Sequence, residues 1–256
     1  MTAITAITAQ NTVGVQAVLQ VPSEIVLAQV RSVIEDIGID AVKVGMLGNA
    51  ATVEAVSQVL AELADDVPVV VDPVMVAESG ARLLERAAEA ALADVLLPLA
   101  TLATPNLEEA RMLARLARER GTGSVGVGDE LEPAELARAV QALGPQAVVV
   151  TGGHSTVAAG HGGHSVDIFF DGATITELAG ERHAGGAAHG SGCTHSSALA
   201  ALLAWGLTPL DAARGAQAMA GAAVRDGLGD LGAGAGPVDV VGLAQAGPPG
   251  DLGRLS

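Results

Sequence analysis

The residues best placed for chemistry fall in one run, His189-Gly190-Ser191-Gly192-Cys193, where a glycine turn feeds a helix expected over 192–205. Glycines let several backbone N–H groups point at one place, and the helix dipole adds partial positive charge there, so the spot suits an anion. Cys193 would lie in the first turn, where the same field favours a thiolate able to act as a general base toward a hydroxyl. The plainer alternative is a small buried cysteine at a helix–sheet contact. Asp72 ends an apolar strand and precedes Pro73, so its carboxylate should face the strand ends and could bind Mg²⁺ through water, or simply cap a turn. Asn106 and Glu109 stand at i and i+3 where a helix begins, on one face; there Glu109 could do no more than offset the dipole. Thr151 follows the strand AVVV and could donate its hydroxyl to a phosphate, or to water. Gln10 carries a donor and an acceptor on one amide, which suits the edge of a heterocycle, and Met46 is either a soft wall for a flat ring or plain core.

The elements that must position these groups alternate. Strands are expected at 3–8, 41–46, 67–72, 99–103 and 147–153, with a hairpin turning at Asp171-Gly172. Helices are expected at 23–38, 51–64, 81–93, 107–120, 134–143, 192–205 and 209–228, Ser23 and Thr208 serving as N-caps. Continuous apolar strands buried on both faces imply a mainly parallel sheet between helical layers, with ligands at the carboxyl ends of the strands. The 256 residues form one domain with a loop-rich tail over 231–256. Phe169, Phe170 and Trp205 are the only aromatics, so the core must be aliphatic.

The formal net charge is -16 and Lys43 is the only lysine. Such a chain repels nucleic acid and anionic membranes. A phosphate site must therefore be built from backbone amides, a helix terminus and Mg²⁺ rather than from a cationic cluster. The single cysteine excludes an internal disulfide and fits a cytoplasmic location, and the first residues lack the basic region of a signal peptide.

Other patterns carry less. GTGSVG at 121–126 fits G-x-G-x-x-G but follows a helix, the wrong context for a dinucleotide site. His154, His161 and His164 share a glycine-rich loop but lack the ligand number and fixed geometry of a zinc site. His195 lies two residues beyond Cys193, about 200° around a helix, which argues against a direct Cys–His pair.

HGSGCTHSSALAA resembles the HGTGCT-type motif of the hydroxymethylpyrimidine/phosphomethylpyrimidine kinases of thiamine synthesis, within the ribokinase-like superfamily. The resemblance continues in order through ITAITAQNT, AVKVGML, VVVDPVM, ATPNLEEA, VVVTGGH and GAGPVD. It implies a three-layer α/β/α fold and ATP-dependent phosphorylation of 4-amino-5-hydroxymethyl-2-methylpyrimidine and then of its monophosphate, with Mg²⁺. By the same resemblance Gly190, Ser191 and Gly192 form the anion hole and Cys193 replaces the catalytic aspartate of related sugar kinases. Gln10 and Met46 meet the pyrimidine, Asn106 and Thr151 the ATP phosphates, and Asp72 and Glu109 arrange Mg²⁺. A homodimer is also implied.

Departures are visible. The family's opening strand and GSDPSGGAGIQAD-type segment have no counterpart, so the chain is expected to begin at the family's second strand. A late-assigned start, a shortened chain and a non-catalytic binding homologue are all open. Thr151 and Glu78 stand where relatives often carry lysine, and Ala187-Ala188 replace a polar pair. A pyridoxal-type kinase is the nearest alternative activity.

Overall fold

The computed structural model describes residues 1–77, 80–122, 131–152, 164–183 and 187–242. The hairpin nearest the N-terminus is a separate two-stranded ribbon, β1 (Ala6–Gln10) against β2 (Val15–Gln20). The strand expected at 3–8 thus begins later, and its partner was not expected at all: four of the six β2 residues are exposed, so no buried face marks it in the sequence. The main sheet runs β3 (Val42–Val44), β4 (Val69–Val71), β5 (Leu102–Ala103), β6 (Ala147–Val150), β7 (His164–Phe170) and β8 (Ile175–Glu181), in that spatial order. β3 to β6 are parallel, β7 and β8 are added antiparallel, and β3 forms one margin. The β7–β8 turn is the expected one: Gly172 sits at φ 90 and the Asp171 carboxylate accepts from the Ala173 and Thr174 N–H groups.

Alternation along these strands sorts side chains into two cores. Val44, Val71, Ala103, Val148, Val150 and Ile168 pack toward α1 (Ser23–Asp36), α2 (Ala50–Leu60), α3 (Arg86–Ala91), α4 (Leu107–Glu119) and α5 (Pro133–Gln141). Val70, Leu102, Val149 and Phe169 face α6 (Ser191–Ala204) and α7 (Pro209–Arg225). The result is the expected three-layer sandwich. α7 approaches closely because its buried positions are alanines, Ala212, Ala213, Ala216, Ala220 and Ala223. Thr208 caps it as expected, accepting from the Asp211 N–H at 3.2 Å with Pro209 as the first helical residue. Ser23 does not cap α1; it is the first helical residue after Pro22. Among the described residues no helix is long and apolar enough to cross a membrane.

Candidate active site

The site is assembled at the carboxyl ends of β4, β5 and β6, facing the start of α6. Two side chains reach this face: Asp72, just beyond β4 and two residues on from Val70, and Lys43, within β3 and alternating with Val44. Lys43 Nζ lies 3.3 Å from Asp72 Oδ2, and the Ser196 hydroxyl donates to the same oxygen at 2.9 Å. Both partners are largely buried, so the ion pair is part of the site's architecture rather than a screened surface contact. Neither Lys43 nor Ser196 was expected as a site residue. The only lysine in the chain, set inside an apolar strand, was the available signal.

α6 starts as the glycine run implies. Gly190 adopts φ 89, the left-handed region that disfavours side chains, and no side chain caps the helix. The Ser191 N–H closes the turn on the Ala188 carbonyl at 3.0 Å, whereas the N–H groups of Gly190, Gly192 and Cys193 have no acceptor among the described residues. A Cβ at Gly192 would meet nothing within 4 Å. The terminus is therefore open, with three free amides at the positive end of a helix of 14 residues.

Cys193 is exposed, not buried at a helix–sheet contact. Its thiol pKa is nevertheless raised, by lost solvation first; Lys43 pulls it down, while Asp72 and Glu109 push it up. Lost solvation is thus the first influence opposing the thiolate that the helix field favours, with the two carboxylates adding to it. His195, two residues along the helix, is buried and does not pair with Cys193, as its spacing foretold.

Asn106 and Glu109 form a capping box at α4. The Asn106 side chain accepts from the Glu109 N–H at 2.9 Å, and Glu109 Oε2 accepts from the Asn106 N–H at 3.0 Å. Glu109 Oε1 also accepts from the Met75 N–H at 3.3 Å, which ties the loop after Asp72 to this helix. Burial raises the Glu109 pKa to about 7 against the pull of the Asn106 N–H, with the Asp72 charge adding to the rise. Thr151 is held beside Asn106 by a backbone bridge, its N–H bonded to the Pro105 carbonyl at 2.9 Å.

At the opposite side Gln10 closes on the same turn: its Nε2 lies 3.4 Å from His189 Nε2. With Asn11, Thr12, Val13, His189, Gly234 and Ala235 it lines a cavity of about 230 Å³. The ribbon is pinned at its tip, where the Gly234 N–H reaches the Thr12 hydroxyl, and at its base, where the Thr5 hydroxyl donates to the Met46 carbonyl at 2.6 Å. A Cβ on Gly234 would collide with the Thr12 carbonyl, so this crossing requires glycine. Met46 is half-buried beneath the ribbon base. Residues 234–238 pack against this turn: the His189 N–H donates to the Gly236 carbonyl and the Val238 N–H to the His189 carbonyl, both at 3.1 Å. Glu78, His154, His161, the His164 side chain and residues 123–126 of the GTGSVG run lie outside the described residues.

The arrangement fits Mg²⁺ as far as the residues go. Among the described residues no group of three or more His, Cys, Asp or Glu is poised around a point. Mg²⁺ asks for less, one or two carboxylates with substrate phosphates and water. Two buried carboxylates, Asp72 and Glu109, near the three free amides supply that donor set.

The model of the family described as phosphomethylpyrimidine kinase matches residues 1–239. The chain belongs to the phosphomethylpyrimidine kinase family. It is a kinase, transferring a phosphoryl group to a hydroxyl acceptor. The hydroxymethylpyrimidine/phosphomethylpyrimidine kinase of Rhizobium meliloti is 44% identical over 237 residues, covering 92% of this chain and 83% of that protein. A Bacillus subtilis pyridoxal kinase solved with ADP superposes with a TM-score of 0.78 at 32% identity, over 96% of this chain and 88% of its own. Phosphomethylpyrimidine kinase from Clostridium difficile gives 0.65 at 33%, over 85% and 83%. The ribokinase-like fold and the use of ATP both follow.

Proposed function

We propose that this kinase phosphorylates 4-amino-5-hydroxymethyl-2-methylpyrimidine and then its monophosphate. The observation that carries the reading is the α6 terminus: three unpartnered amides beside a cysteine, with Gln10 and the cavity on one side and Asn106–Thr151 on the other. On this reading a ring site and a phosphate site flank one sulfur. The free amides of Gly190, Gly192 and Cys193 take the oxygens of the transferring phosphoryl group, Ser191 closing the turn that aims them. Cys193 Sγ, in its thiolate form, takes the proton of the acceptor hydroxyl as that oxygen attacks the γ-phosphorus and ADP leaves, the sulfur ending the step as a thiol. Asn106 and Thr151 flank the nucleotide phosphates. Asp72 and Glu109 would hold Mg²⁺, which when bound neutralises phosphate charge.

Pyridoxal is the competing acceptor, favoured by the pyridoxal kinase superposition. Parallel assays of ADP release decide: turnover with the hydroxymethylpyrimidine is expected to exceed that with pyridoxal at least tenfold in kcat/KM. Greater turnover of pyridoxal would overturn the substrate assignment, and nucleotide binding with no ADP formed would leave a binding protein.

The same reading includes a homodimer through the ribbon. Ile7 and Leu19 pair across it and are 57% and 65% exposed, with Ala9 and Ala17 exposed beside them. Residues 1–22 contain no charged side chain. In a protein of net charge -16 this uncharged face is where two copies approach at least electrostatic cost. Sedimentation should show a dimer that Leu19→Lys converts to monomer; a monomeric parent protein removes the proposal.

A further inference from the structure

A row of polar side chains crosses the sheet beneath the first turns of α6. Counting two residues on from the side chains of the α6–α7 core gives Asp72 after Val70, Thr104 after Leu102 and Thr151 after Val149; two before Phe169 on the antiparallel neighbour gives Asp167. The ends of the row are anchored. Asp72 holds Lys43 and Ser196; Asp167 accepts from the Gly152 N–H at 2.8 Å and from Gln217 of α7 at 3.0 Å.

The middle is not anchored. Thr104 is buried and its hydroxyl has no partner among the described residues. His195, 4% exposed, has no partner for either ring nitrogen. The ring feels the charges of Asp167 and Asp72 together, and the strands bearing those residues are separated by β5 and β6. Ser196 beside it bonds Asp72 just beyond β4, and Gln217 of the adjoining α7 bonds Asp167 on β7, so the buried ring lies over the strands between, where Thr104 stands. Burial pushes the His195 pKa down, so the imidazole presents one donor and one acceptor. Leaving such groups unpaired in a core costs about 1–3 kcal/mol each. A bound water uses up to four such partners.

We propose that His195 is a positioning residue: with Thr104 it binds a buried water that bridges α6 to the sheet and holds the α6 terminus in register with Asp72. This rests on the reading of that terminus as the phosphoryl site. Ser196, the next residue, already hydrogen-bonds Asp72, so a shift of the helix at His195 moves the free amides and the carboxylate relative to one another. Phosphoryl transfer depends on such positioning more than on covalent chemistry.

His195→Phe keeps a flat ring, slightly larger, and loses both nitrogens; Thr104→Val keeps the shape and loses the hydroxyl. Each is expected to lower kcat ten- to thirtyfold with the KM for the pyrimidine within twofold of the parent, and His195→Gln to restore most of kcat. The double variant should be no worse than the worse single one, in kcat and in urea unfolding alike. A full kcat in Thr104→Val, or additive losses in the unfolding cycle, overturns the bridge. The unfolding cycle needs no turnover, so an inactive parent protein defeats the phosphoryl-site reading without deciding the bridge for it. If His195→Phe does not fold, Thr104→Val and His195→Gln decide alone.

Discussion

Cys193→Ala is expected to lower kcat by about 10²–10⁴, the range for losing a general base, while the KM for the pyrimidine barely moves. The sulfur stands at an open terminus, so truncation leaves no cavity and stability should stay within about 0.5 kcal/mol of the parent. The ring contacts are assigned to the Gln10 flank, which the sulfur does not support. The thiol pKa is raised by lost solvation and by Asp72 and Glu109, so the parent kcat should climb with pH through and above neutrality as the thiolate fraction grows. Cys193→Asp, with a carboxylate ionised well below neutrality, should keep part of the activity and lose that alkaline climb. Turnover unchanged in Cys193→Ala would remove the base assignment and leave positioning by the amides as the whole of catalysis.

How far this was legible from sequence depends on the kind of signal. The strands β4 and β6 and the helices α4 and α6 could be read because their residues carry the period of the element and are bounded by Pro, Asn or Gly. The glycine run before Cys193 could be read because an αL residue at a helix start has few substitutes, and Gly190 indeed sits there. Three features were not legible. β2 pairs outside the main sheet with most of its residues exposed, so it lacks an apolar alternation to betray it. The direction of the Cys193 shift is set first by lost solvation and then by Lys43, Asp72 and Glu109, which are far away in sequence and meet only across the fold. The capping role of Glu109 and its place beside Asp72 are compatible in one side chain, so weighing the helix-dipole reading against the metal reading set up a choice the structure does not make.

That double role has a measurable consequence. The Glu109 pKa rises from its ordinary 4.5 to about 7, with burial as the first cause and the Asp72 charge contributing. A carboxyl raised on folding binds its proton more tightly in the native state, so the penalty is absent below about 4.5, grows as pH rises and is complete above about 7. Ionising it in place costs roughly 3 kcal/mol at 1.36 kcal/mol per pKa unit. The unfolding free energy should therefore fall by that order between pH 4.5 and 7.5. Asp167, also raised by burial, adds in the same direction, and His195, lowered by burial, opposes it, so the test must be a difference between proteins. Glu109→Gln keeps one oxygen to accept from the Asn106 or Met75 N–H and carries no charge. Its stability should be lower than the parent's at pH 5, where protonated Glu109 keeps its contacts, and should close on or exceed it by pH 8. Parallel stability–pH curves for the two proteins would show that Glu109 ionises without penalty. In that case the two carboxylates do not repel one another across the site, and the main reason for placing Mg²⁺ between Asp72 and Glu109 disappears.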